Sequence, residues 1–362
     1  MRIRDRIGLS FAVLVAAALL VLLLGWRALH SAANEPGSAL ATQDFEVPTG
    51  ASLRSVLRSL EERELIGSAR NLEWYLRCCQ RGTAFTGEGI KAGLYRIPPG
   101  QTPLSILQQL TDGRVLLEHV TIVEGWTVAQ MRAELERHAS IKPTLAARSD
   151  AQVMQELGQG GTHAEGRFAP DTYSYAPGST DLQLLRMAFE AQRRVLDEAW
   201  EERQADLPLA TKEEALVLAS IVERETGLAS ERSRVAGVFI NRLRKGMRLQ
   251  SDPTVIYGMG DRYNGNIRKS DLTTDTPYNT YTRTGLPPTP IALPGRDAII
   301  ASLHPEKTDA IFFVAIGDGS GGHYFSATVR EHNQAVQRYL DRLRRDPPAA
   351  EPTVAPPATG SP

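Results

Sequence analysis

The sequence predicts an α+β protein, with a membrane-spanning N-terminal helix, then strand-turn-helix repeats, then a mixed α/β domain that holds the chemistry. Three observations carry this expectation. An uncharged apolar run covers residues 7–26, one strand-turn-helix pattern recurs in three places between residues 45 and 135, and an apolar helix near residue 216 carries a carboxylate on its apolar side. The chain has 362 residues, 42% hydrophobic and 23% charged, enough to bury more than one core. A net charge of -1 gives no global attraction to polyanions, which argues against nucleic acid as a partner.

At ~1.5 Å per residue, a helix over residues 7–26 matches a hydrocarbon core of about 30 Å. Arg2, Arg4 and Arg6 precede it against Asp5, so the positive-inside rule keeps residues 1–6 in the cytoplasm and sends the remainder outward. The alternative is a cleaved signal peptide with Ser31-Ala32-Ala33 as a small-x-small site. The apolar run is longer than the usual ~7–15-residue signal core, which favours a retained anchor. Residues 27–44 are assigned to a linker, flexible from His30 onward, rich in small and polar residues around Pro36-Gly37. Residues 346–362, almost all Pro, Ala and small polar residues, are expected to be a disordered tail. The two cysteines, Cys78 and Cys79, are neighbours, and a bridge between neighbours is strained. They are expected to be buried small hydrophobes or unreactive thiols.

The segments 45–60, 95–110 and 120–135 align without gaps. Alternating apolar residues give each a short strand, Gly50, Gly100 and Gly125 permit a tight turn, and Ser52, Thr102 and Thr127 suit a helix N-cap. The pairs Val56/Leu60, Ile106/Leu110 and Met131/Leu135 then face a core. The first two copies, with an expected helix over 71–80 between them, resemble LysM-like modules of cell-wall proteins. That resemblance implies glycan binding over a repeat region taken as 45–150; a plain spacer is the alternative.

Residues 151–345 form the mixed domain, with helices expected at 181–202, 212–226 and 231–244, then a Pro/Gly-punctuated stretch over 247–294. Strands at 311–316 and 323–326 flank the glycine-rich residues 317–322 as a hairpin. Those glycines look superficially like a serine-nucleophile loop, yet no strand-elbow-helix context surrounds them. The seven histidines include no pair at the spacing of a zinc helix, so no metal is expected. No phosphate-cradling loop precedes a helix, so no nucleotide cofactor is expected either.

The chemistry is expected on the helix Leu216-Val-Leu-Ala-Ser-Ile-Val-Glu-Arg-Glu-Thr226. At about 100° per residue, Val217, Leu218, Ile221 and Val222 fan across one side, Glu225 falls near the centre of the fan, and Glu223 points the other way. A carboxyl in apolar surroundings either finds a partner or has its pKa raised, and a raised pKa suits a general acid near neutral pH. An interior ion pair with an Arg is the alternative. Beyond it, Asn241, Gln250, Asp252, Tyr257, Tyr278, Asn279 and Tyr281 suit a carbohydrate groove. Amides and phenols would bond hydroxyl and acetamido groups while aromatic faces stack on sugar rings. Asn279 and Asp252 are also residues that organise turns.

Several of these motifs stand together in order: Ala219-Ser-Ile-Val-Glu-Arg-Glu-Thr226, Val238-Phe-Ile-Asn-Arg-Leu243, Met247-Arg-Leu-Gln-Ser-Asp-Pro-Thr-Val-Ile-Tyr-Gly258, Tyr278-Asn-Thr-Tyr281, Gly285-Leu-Pro-Pro288 and His304-Pro305. With them the chain resembles the YceG-like family of endolytic murein transglycosylases over roughly residues 45–343. The resemblance implies a single-pass enzyme of the inner membrane, with a catalytic domain of lytic-transglycosylase type in the periplasm. It would cut MurNAc-GlcNAc β-1,4 bonds within nascent peptidoglycan strands, leave 1,6-anhydroMurNAc ends and so limit strand length. Its protein partners would be peptidoglycan synthases and division proteins, and it would use no cofactor.

The resemblance also implies that Glu225, in the Glu225-Thr226 pair, is the catalytic acid, that Gln250 is the substrate-binding Gln of the wider superfamily, and that Tyr278-Asn279 is its Tyr-Asn motif. Thr226 would orient the carboxyl, and Asn241, Asp252 and Tyr281 complete the expected substrate-binding set. Arg167 and Ala169 stand where relatives often carry aromatics. One carboxylate suffices for this chemistry, whereas ordinary glycosidases need two. Two alternatives remain open, a hydrolytic muramidase with Asp252 or Glu223 as second carboxylate and a non-catalytic peptidoglycan-binding scaffold.

Overall fold

The structure, a computed structural model, describes residues 3–79 and 89–345. The expected tail over 346–362, residues 1–2 of the expected cytoplasmic stub and Gln80 of the expected helix over 71–80 lie outside the described residues. The chain divides into two compact units, Met1–His119 with Ser174–Gly178, and Val120–Tyr173 with Ser179–Pro362.

The first unit begins with α1 (Ile3–Asn34). Its stretch Phe11–Asn34, of mean hydropathy 2.4, is long and apolar enough to cross a membrane. Next come β1 (Gln43–Val47), α2 (Leu53–Glu62), α3 (Ala69–Cys79), β2 (Gly93–Ile97) and α4 (Pro103–Asp112). Strands β1 and β2 are antiparallel, with Phe45 opposite Tyr95. Both rings are buried in one core with Leu57, Leu60, Leu72, Ile106 and Leu110. β3 (Glu118–Thr121) pairs with β4 (Thr172–Tyr175), and the division between the units falls inside both strands.

All three expected strand-turn-helix copies form, the third closing with α5 (Val128–Arg137). Ser52, Thr102 and Thr127 each sit at the N-cap and accept a hydrogen bond from the backbone N–H three residues on. Gly50, Gly100 and Gly125 hold nearly the same left-handed φ, 76°, 79° and 76°, where a Cβ would be strained.

Two expectations are corrected in the first unit. The stretch expected to be a flexible tether from His30 is tied down at several points: α1 runs through to Asn34, Ala33 is wholly buried, and Ala39 N donates to Glu64 O, while most side chains over 34–42 stay exposed. A Cβ at Gly37 would clash with Glu64 O, so glycine here permits close backbone approach and does not mark freedom. Cys78 and Cys79 are exposed, their sulfurs 2.9 Å apart. The buried face of α3 is Ala69, Leu72 and Leu76; Cys78 turns away from it, and Cys79 lies past the end of the core.

The second unit adds α6 (Asp150–Glu156), α7 (Asp181–Glu201), α8 (Lys212–Glu225), a 3-10 turn at Ala229–Glu231, α9 (Arg232–Arg244) and α10 (Asp252–Met259). After a 3-10 turn at Gly260–Arg262 come α11 (Lys269–Thr273), α12 (Arg296–Leu303), β5 (Phe312–Ala315), β6 (His323–Ser326) and α13 (Val329–Arg345). The three expected helices correspond to α7, α8 and α9, and the expected hairpin to β5/β6, with Phe313 opposite Phe325. The Pro/Gly-punctuated stretch over 247–294 carries the short helices α10 and α11.

Helix α8 packs against α7, α9, α10 and α12. Every residue from Ala215 to Val222 is buried, so the helix is apolar all round and not on the one side expected. Its one polar side chain in that run, Ser220, is satisfied: the hydroxyl donates to Val217 O at 2.7 Å and accepts from Ile291 N at 3.0 Å.

Candidate active site

Helix α8 leaves the core at its C-terminus, and Glu225 is its last residue. Thr226 caps it in an extended conformation, φ -143° and ψ 128°. Burial pushes the Glu225 carboxyl up to about 7, and the charge of neighbouring Asp252 adds to the rise. A donated hydrogen bond from Ser251 and the positive Arg242 hold it back. The negative end of the α8 dipole also disfavours a carboxylate here. The group therefore exchanges a proton near neutral pH, as a general acid and base must.

The Ser251 hydroxyl donates to Glu225 Oε1 at 2.5 Å. Arg242 does not close an ion pair on Glu225: Nε donates to Ile311 O at 2.6 Å and Nη1 to Leu249 O at 2.7 Å. The guanidinium is spent on carbonyls and acts on the acid through its field.

The segments 250–252 and 278–281 are laced together beside this acid. Gln250 N donates to Thr280 O at 3.1 Å, Ser251 N to Thr280 Oγ1 at 3.0 Å, and Tyr281 OH to Asp252 Oδ1 at 2.6 Å. Gln250 holds φ at 52°, a left-handed conformation rare for a residue with a Cβ, and its side chain is exposed. Burial, followed by the bond to Asp252, pushes the Tyr281 phenol up. Gln250, Asp252 and Tyr281 thus gather around Ser251 and the acid.

Other expected site residues hold the scaffold. Asn279 is 1% exposed; its Nδ2 donates to Asp271 O, Leu272 O and Thr274 O, and its Oδ1 accepts from Tyr281 N. Asn241 Nδ2 donates to Thr308 O and Ala310 O, fixing the approach to β5. Tyr278 pairs its hydroxyl with Thr289 Oγ1 at 2.8 Å and meets the Tyr257 ring edge-on at 4.9 Å. Thr226 Oγ1 accepts from Leu228 N at 3.0 Å, so the hydroxyl that meets the carboxyl belongs to Ser251 instead. Glu223 accepts from Gly295 N at 2.8 Å. Arg167 pairs with Glu213, and Ala169 N donates to Ala188 O.

Glu225 opens on a cleft of ≈ 890 Å³. One wall is Glu225, Thr226 and Gly227; the others are the glycine-rich loop between β5 and β6, His323, and Tyr339, Arg342 and Leu343 of α13. The sequence reading took that loop as a hairpin and nothing more. Only the tertiary fold brings it opposite the acid, so no local signal could have revealed it.

Sequence reasoning also missed Ser251, Arg242 and Glu165. Glu165, 5% exposed, accepts from Val128 N at 3.0 Å and from Tyr257 OH at 3.1 Å, and burial pushes it up to about 7. It caps the N-terminus of α5 from a distant segment. A carboxylate just ahead of the apolar Phe168-Ala169 was the available hint. Among the described residues, no group of three or more His, Cys, Asp or Glu is placed to hold a metal ion.

Fold and site together define a class: an α+β chain with one apolar N-terminal helix and a half-buried carboxylic acid at the wall of a cleft. The chain belongs to the YceG-like family, whose model matches residues 45–338. The endolytic murein transglycosylase of Bacillus subtilis (strain 168) is 31% identical over 316 residues, covering 83% of this chain and 85% of that protein. The endolytic murein transglycosylase of Streptococcus pneumoniae serotype 2 (strain D39) is 26% identical over 328 residues, covering 82% of this chain and 58% of that longer protein. A crystal structure of a YceG-like protein from Listeria monocytogenes aligns with 81% of this chain and 98% of its own, at 27% identity and a TM-score of 0.48.

Proposed function

We propose that this protein is an endolytic peptidoglycan lytic transglycosylase, anchored in the inner membrane by α1 with both compact units in the periplasm. One observation carries the reading: Glu225, half-buried and raised to about 7, opens on a cleft large enough in volume for sugar rings. The names of the B. subtilis and S. pneumoniae relatives point the same way.

In this mechanism protonated Glu225 donates to the glycosidic oxygen between MurNAc and GlcNAc, and the bond from that oxygen to the muramyl C1 breaks. The carboxylate left behind takes the proton of the muramyl C6 hydroxyl as that oxygen closes on C1. The product end is 1,6-anhydroMurNAc, no water is consumed, and Glu225 returns protonated. The substrate's N-acetyl group stabilises the developing positive charge at C1, which removes the need for a second carboxylate. Ser251 holds the carboxyl in place, while Thr226 in the cleft wall and Gln250, Asp252 and Tyr281 on the segments beside the acid contact the glycan. Asn241, Tyr278 and Asn279 support those segments from behind. The paired strand-turn-helix copies of the first unit bind glycan as LysM-like modules, and cuts within nascent strands limit their length.

The deciding experiment is mass spectrometry of strands released from purified peptidoglycan by the wild-type protein and by Glu225→Gln. Anhydromuramyl ends from wild type alone support the reading. Reducing ends from wild type would instead identify a hydrolytic muramidase, for which Asp252, whose charge acts on Glu225, is the available second carboxylate. Strand binding with no cleavage would identify a scaffold.

A further inference from the structure

Strand β6 starts at His323, directly after the glycine-rich loop that walls the cleft. One carboxylate from the turn before α9 holds this residue twice. Glu231 Oε1 accepts from His323 N at 3.0 Å, and Glu231 Oε2 lies 2.8 Å from His323 Nδ1. The ring meets Phe313 edge-on at 5.4 Å and Phe325 at 6.3 Å. The two side chains are 13% and 18% exposed, so the imidazole is locked in orientation by packing and by hydrogen bonds together.

A neutral imidazole that donates from Nδ1 to a carboxylate must present Nε2 as a bare acceptor. Among the described residues nothing hydrogen-bonds to Nε2, and His323 lines the same cleft as Glu225. The neighbouring positions Gly317, Gly319, Gly321 and Gly322 offer no side chains. The Asp318 carboxylate of the same loop is already occupied, Oδ1 accepting from Ser320 N at 3.0 Å and Oδ2 pairing with Arg342 at 3.5 Å, so the neutral tautomer of His323 makes Nε2 a fixed, unoccupied acceptor on this wall.

We propose that His323 is a glycan-binding residue of this cleft, whose Nε2 accepts a hydrogen bond from a sugar hydroxyl, and that Glu231 is the positioning residue that fixes its tautomer. This rests on reading the cleft as the glycan groove. A merely structural pair would join α9 to the hairpin through Nδ1 alone and would leave Nε2 without consequence.

The test uses the full chain in detergent micelles, carrying Glu225→Gln so that binding is read without turnover, with peptide-free GlcNAc-MurNAc strands as the probe. His323→Asn keeps an amide nitrogen near the place of Nδ1 and removes everything at Nε2. The expected result is affinity about three- to tenfold weaker, the size of one neutral hydrogen bond, in a protein that melts somewhat lower yet is fully folded at the assay temperature. His323→Gln, whose amide reaches the place of Nε2, recovers part of the loss. In the active protein His323→Asn raises KM and leaves kcat near wild type.

Unchanged affinity in a folded His323→Asn protein overturns the proposal, as does a loss that His323→Gln does not partly recover. If wild type leaves no anhydromuramyl ends yet Glu225→Gln binds strands and His323→Asn weakens that binding, the inference stands and the reaction reading falls. If Glu225→Gln binds no strands, both fall.

Discussion

The Ser251 hydroxyl donates to Glu225 Oε1 at 2.5 Å, joining the residue that ends α8 to the residue that precedes α10. The bond stabilises the carboxylate while burial stabilises the acid, and their opposition leaves the group near the middle of the physiological range. A donor fixed by the Thr280 hydroxyl and by the strained backbone at Gln250 cannot easily swing away.

Ser251→Ala removes a donor to the charged form, so the Glu225 pKa rises above its present value of about 7. The first step needs the protonated acid, and the alkaline limb of the kcat/KM profile for anhydro-end release therefore moves upward, by about one pH unit. An alkaline limb at the wild-type position would remove Ser251 from the account.

Glu165 sets a pH dependence of stability. Its folded pKa of about 7 lies above the ordinary 4.5, so between those values the folded protein keeps a proton that the unfolded chain releases. Stability relative to Glu165→Gln is then fully present below about pH 4.5, declines as pH rises toward 7 and is level beyond, by about 3 kcal/mol in total. Denaturant titrations of both proteins at pH 4.5, 6 and 8 measure it; a constant difference across that range would contradict the linkage.

Asn279→Ala strips three carbonyls and the Tyr281 amide of their partner in a part-buried turn organised around a buried side chain. Stability falls by about 2–4 kcal/mol, and the melting temperature falls with it. Thermal unfolding followed by circular dichroism reads the change, and a wild-type melting curve would show that the turn holds without the amide.

The N-terminal helix separates into an apolar span and a packed end. Deleting residues 1–28 leaves Ala32 and Ala33 in the first unit's core, and the protein becomes soluble without detergent at an unchanged melting temperature. Deleting residues 1–40 also removes the contact of Ala39 with Glu64 and lowers the melting temperature. Equal melting temperatures for the two truncations would mean that residues 29–40 contribute nothing to the fold.

The three strand-turn-helix copies were legible because each is written locally: a glycine for the turn, a hydroxyl three residues before its backbone donor, apolar residues one turn apart. Glu225 was legible because a carboxylate in line with Leu218 and Ile221 breaks the apolar pattern of α8. Periodicity reports only contrast, however, and could not reveal that α8 is enclosed on every side. Ser251, Arg242 and the Glu231–His323 pair depend on segments far apart in the chain, and nothing local marks them. Gly37 and Ala39 were misread because smallness serves close packing as readily as freedom, and composition does not distinguish the two.

The burial of Ala33 inside the first unit also sets where this protein can work. Only residues 35–42 separate α1 from β1, a span of at most about 30 Å even if drawn straight. On the proposed reading, with α1 in a bilayer, the protein would search by lateral diffusion in two dimensions, and the timing of each cut would follow the arrival of strands at the membrane face and not the stock of polymer already laid down.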